Sequence, residues 1–238
     1  MTKVFRKIRL SLINSGGVKK YLLYALGEIL LIMIGVLLAF QVSTWNENTN
    51  NKNAELIYYK NIKRQLNEDM GIISRNIDYN NNYFGQFKLA SQIIEANDRK
   101  NADTLSQIAL NLFRYSDFHR ASNIYETIVN SGQIKLLQNH NIIEGLQGLE
   151  ETYVYINKME DVHLDIIKRI VLPDLVNTIE FSSHKAEKPD ELFTYKFKNR
   201  FTLLLEIMKE KDDVYRRATN EITRLIALID KELDSNTN

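Results

Sequence analysis

Residues 21–40, YLLYALGEILLIMIGVLLAF, constrain this chain more than any other stretch. A helix of that length, rising about 1.5 Å per residue, covers roughly 30 Å, the thickness of a bilayer core. Twelve of the twenty residues are Leu, Ile, Val or Phe. At roughly −0.3 to −0.6 kcal/mol each they favour insertion by about 4–7 kcal/mol, against about 2.5–3.5 kcal/mol for the single charge, Glu28. The balance favours the membrane. A buried core helix has a shorter apolar run, and a cleaved signal peptide ends in small residues. The exit here, Ala39-Phe40-Gln41-Val42-Ser43-Thr44-Trp45, is a poor cleavage site and predicts an uncleaved signal anchor.

The flanks set the expected orientation. Residues 1–20 hold Lys3, Arg6, Lys7, Arg9, Lys19 and Lys20 and no acid, whereas residues 41–60 hold two bases and two acids. Basic residues stay on the cytoplasmic side, so the N-terminus is expected inside and the long remainder outside. Lys19, Lys20 and Tyr21 then mark the inner interface and Trp45 the outer one. Residues 1–13 place Val4, Phe5, Ile8 and Leu12 on one face among basic residues, the pattern of a short amphipathic helix on an anionic leaflet, or of a disordered basic tail. The layout read from this is a basic cytoplasmic segment (1–20), a transmembrane signal anchor (21–45) and an extracytoplasmic helical domain (46–238).

Glu28 lies about 4 Å from the midpoint of the span, too deep for a short side chain to reach water. A carboxyl there is neutral or paired with a group on another helix. Tyr24 sits one turn back on the same face and can donate a hydrogen bond. Gly35 and Ala39 form a small-xxx-small pair whose face overlaps that of Glu28. Tyr24, Glu28, Gly35 and Ala39 are therefore the candidate contact residues within the membrane. The bland alternative is a tolerated charge in a strongly apolar helix.

The run Lys20-Tyr21-Leu22-Leu23-Tyr24-Ala25-Leu26-Gly27-Glu28-Ile29, with Gly35, Gln41 and Trp45-Asn46-Glu47 after it, resembles an uncharacterised family of Bacteroidota single-pass membrane proteins of unknown function. Its look is a basic start, a KYLLYAIGEI-type anchor and a QINNWNE-like exit. Tyr125-Glu126-Thr127-Ile128 with Ser131-Gly132 is similar to a further element of that family. The resemblance implies an inner-membrane helical protein. It implies no activity.

Beyond the anchor, two prolines and nine glycines in 238 residues argue for long helices. The absence of cysteine excludes disulfides, thiol catalysis and cysteine-rich zinc sites. A net charge of +1 gives no field that points to nucleic acid. Residues 46–53, NENTNNKN, read either as a flexible stalk or as a continuation of the anchor helix. Residues 54–96 repeat apolar groups in threes and fours (Leu56, Tyr59, Leu66, Met70, Ile73, Ile77, Phe84, Phe87, Ile94), one face of a bundle helix, with a possible break near residue 80. Thr104 with Gln107 has capping-box spacing and predicts a helix over 104–116. Asn123 with Glu126 predicts a short helix that Gly132 ends. Asn141 with Glu144 predicts a long helix to about residue 171, with a ladder of Ile142, Leu146, Leu149, Tyr153, Ile156, Ile166 and Ile170 that Pro173 ends or kinks. A last helix is expected over 199–233, its stripe running from Phe201 to Ile229. The fold class is all-α, a single N-terminal transmembrane helix followed by an antiparallel helical bundle.

Catalytic signatures are absent from the sequence. His119, His140, His163 and His184 form no H-x-x-x-H or HExxH. Glu160 with His163 is one E-x-x-H pair where di-iron bundles need two pairs and two further glutamates. The pairs Glu68/Asp69, Glu150/Glu151, Glu160/Asp161 and Asp212/Asp213 read as solvated helix faces. No Walker loop, G-x-S-x-G or G-x-G-x-x-G occurs. The reading is a membrane-anchored, non-enzymatic interaction or scaffold protein without cofactor or metal. Its partners are the lipid bilayer and a membrane protein or further copies of itself. Two other roles stay open: an accessory subunit of an ion-driven inner-membrane complex acting through Glu28, and a ligand-sensing helical ectodomain.

Overall fold

A computed structural model describes residues 18–120 and 123–235. The expected amphipathic helix over 1–13 lies outside the described residues, as do the side chains of Lys20 and Tyr21. Among the described residues the fold is all-α apart from one two-stranded hairpin. Its contacts divide it into two compact units, residues 1–55 and 56–238.

The first unit is helical throughout its described part, within helix α1 (Val18–Glu95). It contains the one stretch among the described residues that is long and apolar enough to cross a membrane, and none of that stretch is buried. The Asn-rich run 46–53 is helix rather than stalk.

The second unit is built on three long helices: the rest of α1, α4 (His140–Ile166) and α7 (Tyr195–Ser235). α1 runs antiparallel to α7, since Lys63 pairs with Asp230 and Lys198 with Glu95. α4 also runs antiparallel to α7, with Gly145 against Leu225 and Arg200 donating to the Ile170 carbonyl. Between α1 and α4 come α2 (Ala102–Leu110) and α3 (Ile124–Asn130); between α4 and α7 come α5 (Leu172–Thr178), strands β1 (Ile179–Glu180) and β2 (Lys185–Ala186) and α6 (Pro189–Leu192). The antiparallel hairpin pairs Ile179 with Ala186 within the segment that looked least ordered in sequence. α1 runs without a break through residue 80 to Glu95.

Several local expectations hold. Asn123 caps α3 by accepting from Glu126 N at 3.0 Å, while its amide donates to the Glu126 carboxylate at 3.0 Å. Gly132 follows that helix at φ +71°, the left-handed conformation that a side chain disfavours. Others do not. α2 begins at Ala102 and gives way at Asn111 to a 3-10 turn ending at Phe113, so Thr104–Gln107 is not its cap. α4 is capped by Asn139, which accepts from Asn141 N and Ile142 N, two residues ahead of the expected start.

The α4 ladder is also corrected at its end. Ile142, Leu146, Leu149, Tyr153 and Ile156 are buried as expected, but Ile170 is exposed, and Ile167 and Val171 are buried instead. Pro173 has no N–H for the carbonyl four residues back. The chain meets it with a π turn over Ile167–Val171, in which Leu172 N donates to the Ile167 carbonyl. One residue added to the turn moves the apolar register forward by one.

Two apolar clusters result. One gathers Tyr59, Leu66 and Ile73 of α1 with Leu146 and Tyr153 of α4 and Tyr215, Ile222 and Ile229 of α7. The other gathers Phe87 and Ile94 with Leu105, Val171 and Leu175, closed by Phe197 and Phe201.

Candidate functional site

Two places stand out for their polar groups: one face of the apolar helix of the first unit, and a layer between the two apolar clusters of the second. On the anchor, Tyr24, Glu28, Gly35 and Ala39 fall within about 60° of arc at 100° per residue. Around them the apolar side chains point outward, with Leu23, Leu31 and Phe40 about 70 % exposed (72, 69 and 71 %). Tyr24, Gly27, Glu28, Leu31 and Ile32 line a notch in this surface. Its floor is bare, because a Cβ on Gly27 would meet no atom within 4 Å, and the same is true of Gly35. The Tyr24 hydroxyl is enclosed and has no hydrogen-bond partner among the described residues. Of the interface residues named from sequence, Lys19 and Trp45 are exposed.

The second place lies inside the domain. Along α1 the first cluster ends at Ile77 and the second begins at Tyr83, with buried Asn80 between. Along α7 the second cluster ends at Met208 and the first resumes at Val214, with buried Lys211 between. Asn80 donates to the Met208 carbonyl at 2.7 Å, and Lys211 Nζ donates to the Ser116 carbonyl at 2.8 Å. Glu160 accepts from Phe118 N at 3.1 Å and from the Tyr215 hydroxyl, which also shares a hydrogen bond with Ser116 Oγ at 3.1 Å. His163, one turn beyond Glu160, is enclosed with neither ring nitrogen bonded among the described residues, and Tyr115 meets its ring edge-on at 6.2 Å.

Burial dominates the protonation of this layer. It pushes His163 down to about 3, helped by the Lys211 charge. It pushes Lys211 down to about 8, opposed by Glu160 and Asp117. It raises Glu160, opposed by the donors Tyr215 and Phe118 N and by Lys211, and it raises Tyr215. A neutral histidine and a carboxylate occupied by two donors, beside a lysine, are a poor cradle for a cation. Among the described residues no group of three His, Cys, Asp or Glu is placed to hold a metal ion.

A smaller polar group lies within the first cluster. Asp69 accepts from the Tyr153 hydroxyl at 3.0 Å and from Gln65 at 3.4 Å, and burial raises its pKa. Gln65 accepts from Ile124 N at 2.8 Å. Arg120 covers the Tyr153 ring at 4.8 Å and donates to Glu150 at 2.6 Å.

The sequence singled out Glu160 and His163 together, and the structure buries both. It did not single out Lys211, Ser116 or Gln65, and it read Tyr215 only as part of the apolar stripe of the last helix. Two acids read as solvated, Asp69 and Glu160, are 0 % and 4 % exposed. His119, His140 and His184 are exposed. The crevice between α4 and α7 beside Gly145 and Arg224 encloses about 210 Å³, short of the roughly 300–1,000 Å³ of pockets that hold drug-sized ligands.

The model of a family described as "Family of unknown function (DUF6090)" matches residues 28–169, more than half of the chain. No curated protein and no solved structure matches it.

Proposed function

The chain belongs to the DUF6090 family, whose function is unknown, and from that premise we propose that it is a membrane-anchored, non-enzymatic interaction module. In this reading residues 21–45 span the inner membrane with the N-terminus in the cytoplasm, and the helical domain stands on the periplasmic side. The observation that carries the reading is the anchor surface. Its apolar side chains are exposed, and Glu28 lies in a notch floored by Gly27. Acidic side chains at that depth of a bilayer face protein rather than lipid. The six bases of residues 1–20 support the orientation.

Glu28 would also suit a subunit that moves protons. Such a path needs a chain of ionisable groups, and residues 21–40 contain one acid and no base. A packing contact asks only for the notch.

The test is Glu28→Leu in the full chain expressed in its native membrane. The expected outcome is a changed set of captured membrane partners with the chain still in the membrane fraction. An unchanged partner set would reject the contact.

A further inference from the structure

We infer that residues 114–120 form a strap that acid releases: a proton taken up by His163 beneath it lets the segment lift while the long helices stay folded. The device belongs to the helical domain and does not depend on the anchor contact proposed above.

The segment Arg114-Tyr115-Ser116-Asp117-Phe118-His119-Arg120 is neither helix nor strand. Its residues alternate as those of a strand do, with Ser116 and Phe118 buried and Asp117 and His119 exposed. No sheet holds it. Among the described residues, no backbone group of 115–120 bonds to another backbone group. Side chains from three helices fasten it instead. Lys211 of α7 donates to the Ser116 carbonyl, Glu160 of α4 accepts from Phe118 N, and Asn76 of α1 donates to the Asp117 carbonyl at 3.2 Å. A segment held by so few bonds opens at less cost than the helices it crosses. Lifting it bares the seat of Phe118 against Tyr153, whose rings lie 4.9 Å apart, together with the Lys211 amine.

His163 is 1 % exposed and meets the Tyr115 ring of this segment edge-on. An imidazolium has two N–H donors, and both ring nitrogens are enclosed without an acceptor among the described residues. The groups around it supply none. On α4 itself, Glu160 already accepts from Tyr215 and Phe118 N. α7 brings Lys211, a like charge, and Tyr215, whose hydroxyl is shared between Glu160 and Ser116. α1 brings the amides of Asn76 and Asn80 and, towards Arg114, the hydroxyls of Tyr79 and Tyr83. The strap brings Asp117, which faces out and lies 3.2 Å from His119. The closed form therefore keeps His163 neutral. Once the strap lifts, water reaches the ring and its ordinary proton affinity returns. Below neutrality each proton bound there favours the open form. Lys211, pushed down to about 8, is charged in both forms below pH 7, and Glu160, raised by burial, opposes the release. A value of about 3 when closed and about 6.5 when open makes opening up to roughly 25-fold easier at pH 5 than at pH 7.

Among 115–120, Phe118 carries the one backbone N–H with a hydrogen bond among the described residues, so its exchange with solvent reports the strap. The test is amide hydrogen exchange of the detergent-solubilised full chain, each rate being divided by the intrinsic rate at its pH. Protection at Phe118 is expected to fall at least five-fold from pH 7 to pH 5. At pH 5 it is expected to be indifferent to urea below the unfolding midpoint, as a small local opening is, while the amides of residues 146–156 lose protection as urea rises. His163→Phe is expected to remove the pH response, and Glu160→Gln to keep it. Unchanged protection at Phe118 between the two pH values overturns the inference. So does a Phe118 amide that follows urea in step with residues 146–156, which would mean release only by unfolding of the whole domain. Loss of the response in Glu160→Gln would place the trigger on the carboxyl and overturn it as well. The two measurements on the parent chain decide the matter even where a variant does not fold.

Discussion

Residues 22–42 and the domain of residues 56–235 use the same side chains to opposite ends. Leu31 and Phe40 of the first face outward, while Phe87, Leu105 and Phe201 of the second are fully buried. Polar groups follow the same inversion. The domain answers several of the polar groups it buries from a distant segment, as Glu160 is answered by Phe118 N and Tyr215, while both ring nitrogens of His163 and Asp69 Oδ1 have no hydrogen-bond partner among the described residues. The anchor encloses the Tyr24 hydroxyl and offers it nothing among the described residues.

The polar layer is where this contrast breaks most sharply. Glu160→Ala strips the acceptor from two buried donors and leaves Lys211 without its neighbouring carboxyl. Removing one member of a buried charged network costs about 3–5 kcal/mol. The expected outcome is a fall of that size in the unfolding free energy of the detergent-solubilised chain, read from urea titration by circular dichroism. Glu160→Gln, which keeps an acceptor, costs less. A change under about 1 kcal/mol for Glu160→Ala would mean that the network is dispensable.

His163 makes the same layer sensitive to acid. Its folded pKa, about 3, lies below the unfolded value of about 6.5. The unfolded chain therefore takes up the proton first, and stability falls as pH drops from about 6.5 towards 3, by about 1.4 kcal/mol per unit. Lys211 is protonated in both states across this window and adds no slope, while Glu160 and Asp69, raised by burial, gain protons in the fold and oppose the fall. His163→Phe removes the histidine contribution. Between pH 6.5 and 5 the variant is expected to lose about 2 kcal/mol less than the parent chain. Identical urea midpoints for both chains at each pH would clear His163 of the effect.

These groups also mark how far the sequence could be read. The long helices were legible because apolar residues recur every three or four positions and nothing else satisfies that pattern. The Asn123 cap was legible because donor and acceptor lie three residues apart. The π turn was not: Ile166 and Ile167, like Ile170 and Val171, are adjacent and equally apolar, so period alone does not show which pair faces inward. The choice between Asn139 and Asn141 as a cap is of the same kind. The polar layer was hidden for another reason. Lys211 sits in Glu210-Lys211-Asp212-Asp213, which reads as a wet face, and only the arrival of Ser116 and Glu160 from other segments makes it an interior residue. The anchor was the reverse case. Its notch residues lie within nine positions of one helix, and spacing alone picked out Tyr24 and Glu28, but not Gly27, Leu31 and Ile32; Gly35 and Ala39 share that face without lining the notch.

Glycine gives the finest form of the comparison. Gly145 of α4 packs so close to α7 that a Cβ would lie 2.7 Å from Leu225 Cδ2 and 3.3 Å from its Cγ, and Leu225 is buried. Gly145→Val forces that contact apart, at about 1–3 kcal/mol. Gly148, less than a turn away, would place a Cβ in open space. Gly148→Ala is expected to stabilise the domain by about 0.5–1 kcal/mol, because alanine gives up less backbone entropy in a helix. Gly27 of the anchor has the same open surroundings, but it lies outside the domain that urea unfolds. Gly148→Ala should therefore raise the urea midpoint, and Gly27→Ala should leave it unchanged. A drop in midpoint for Gly148→Ala would show that a neighbour stands closer to α4 than its open surroundings imply.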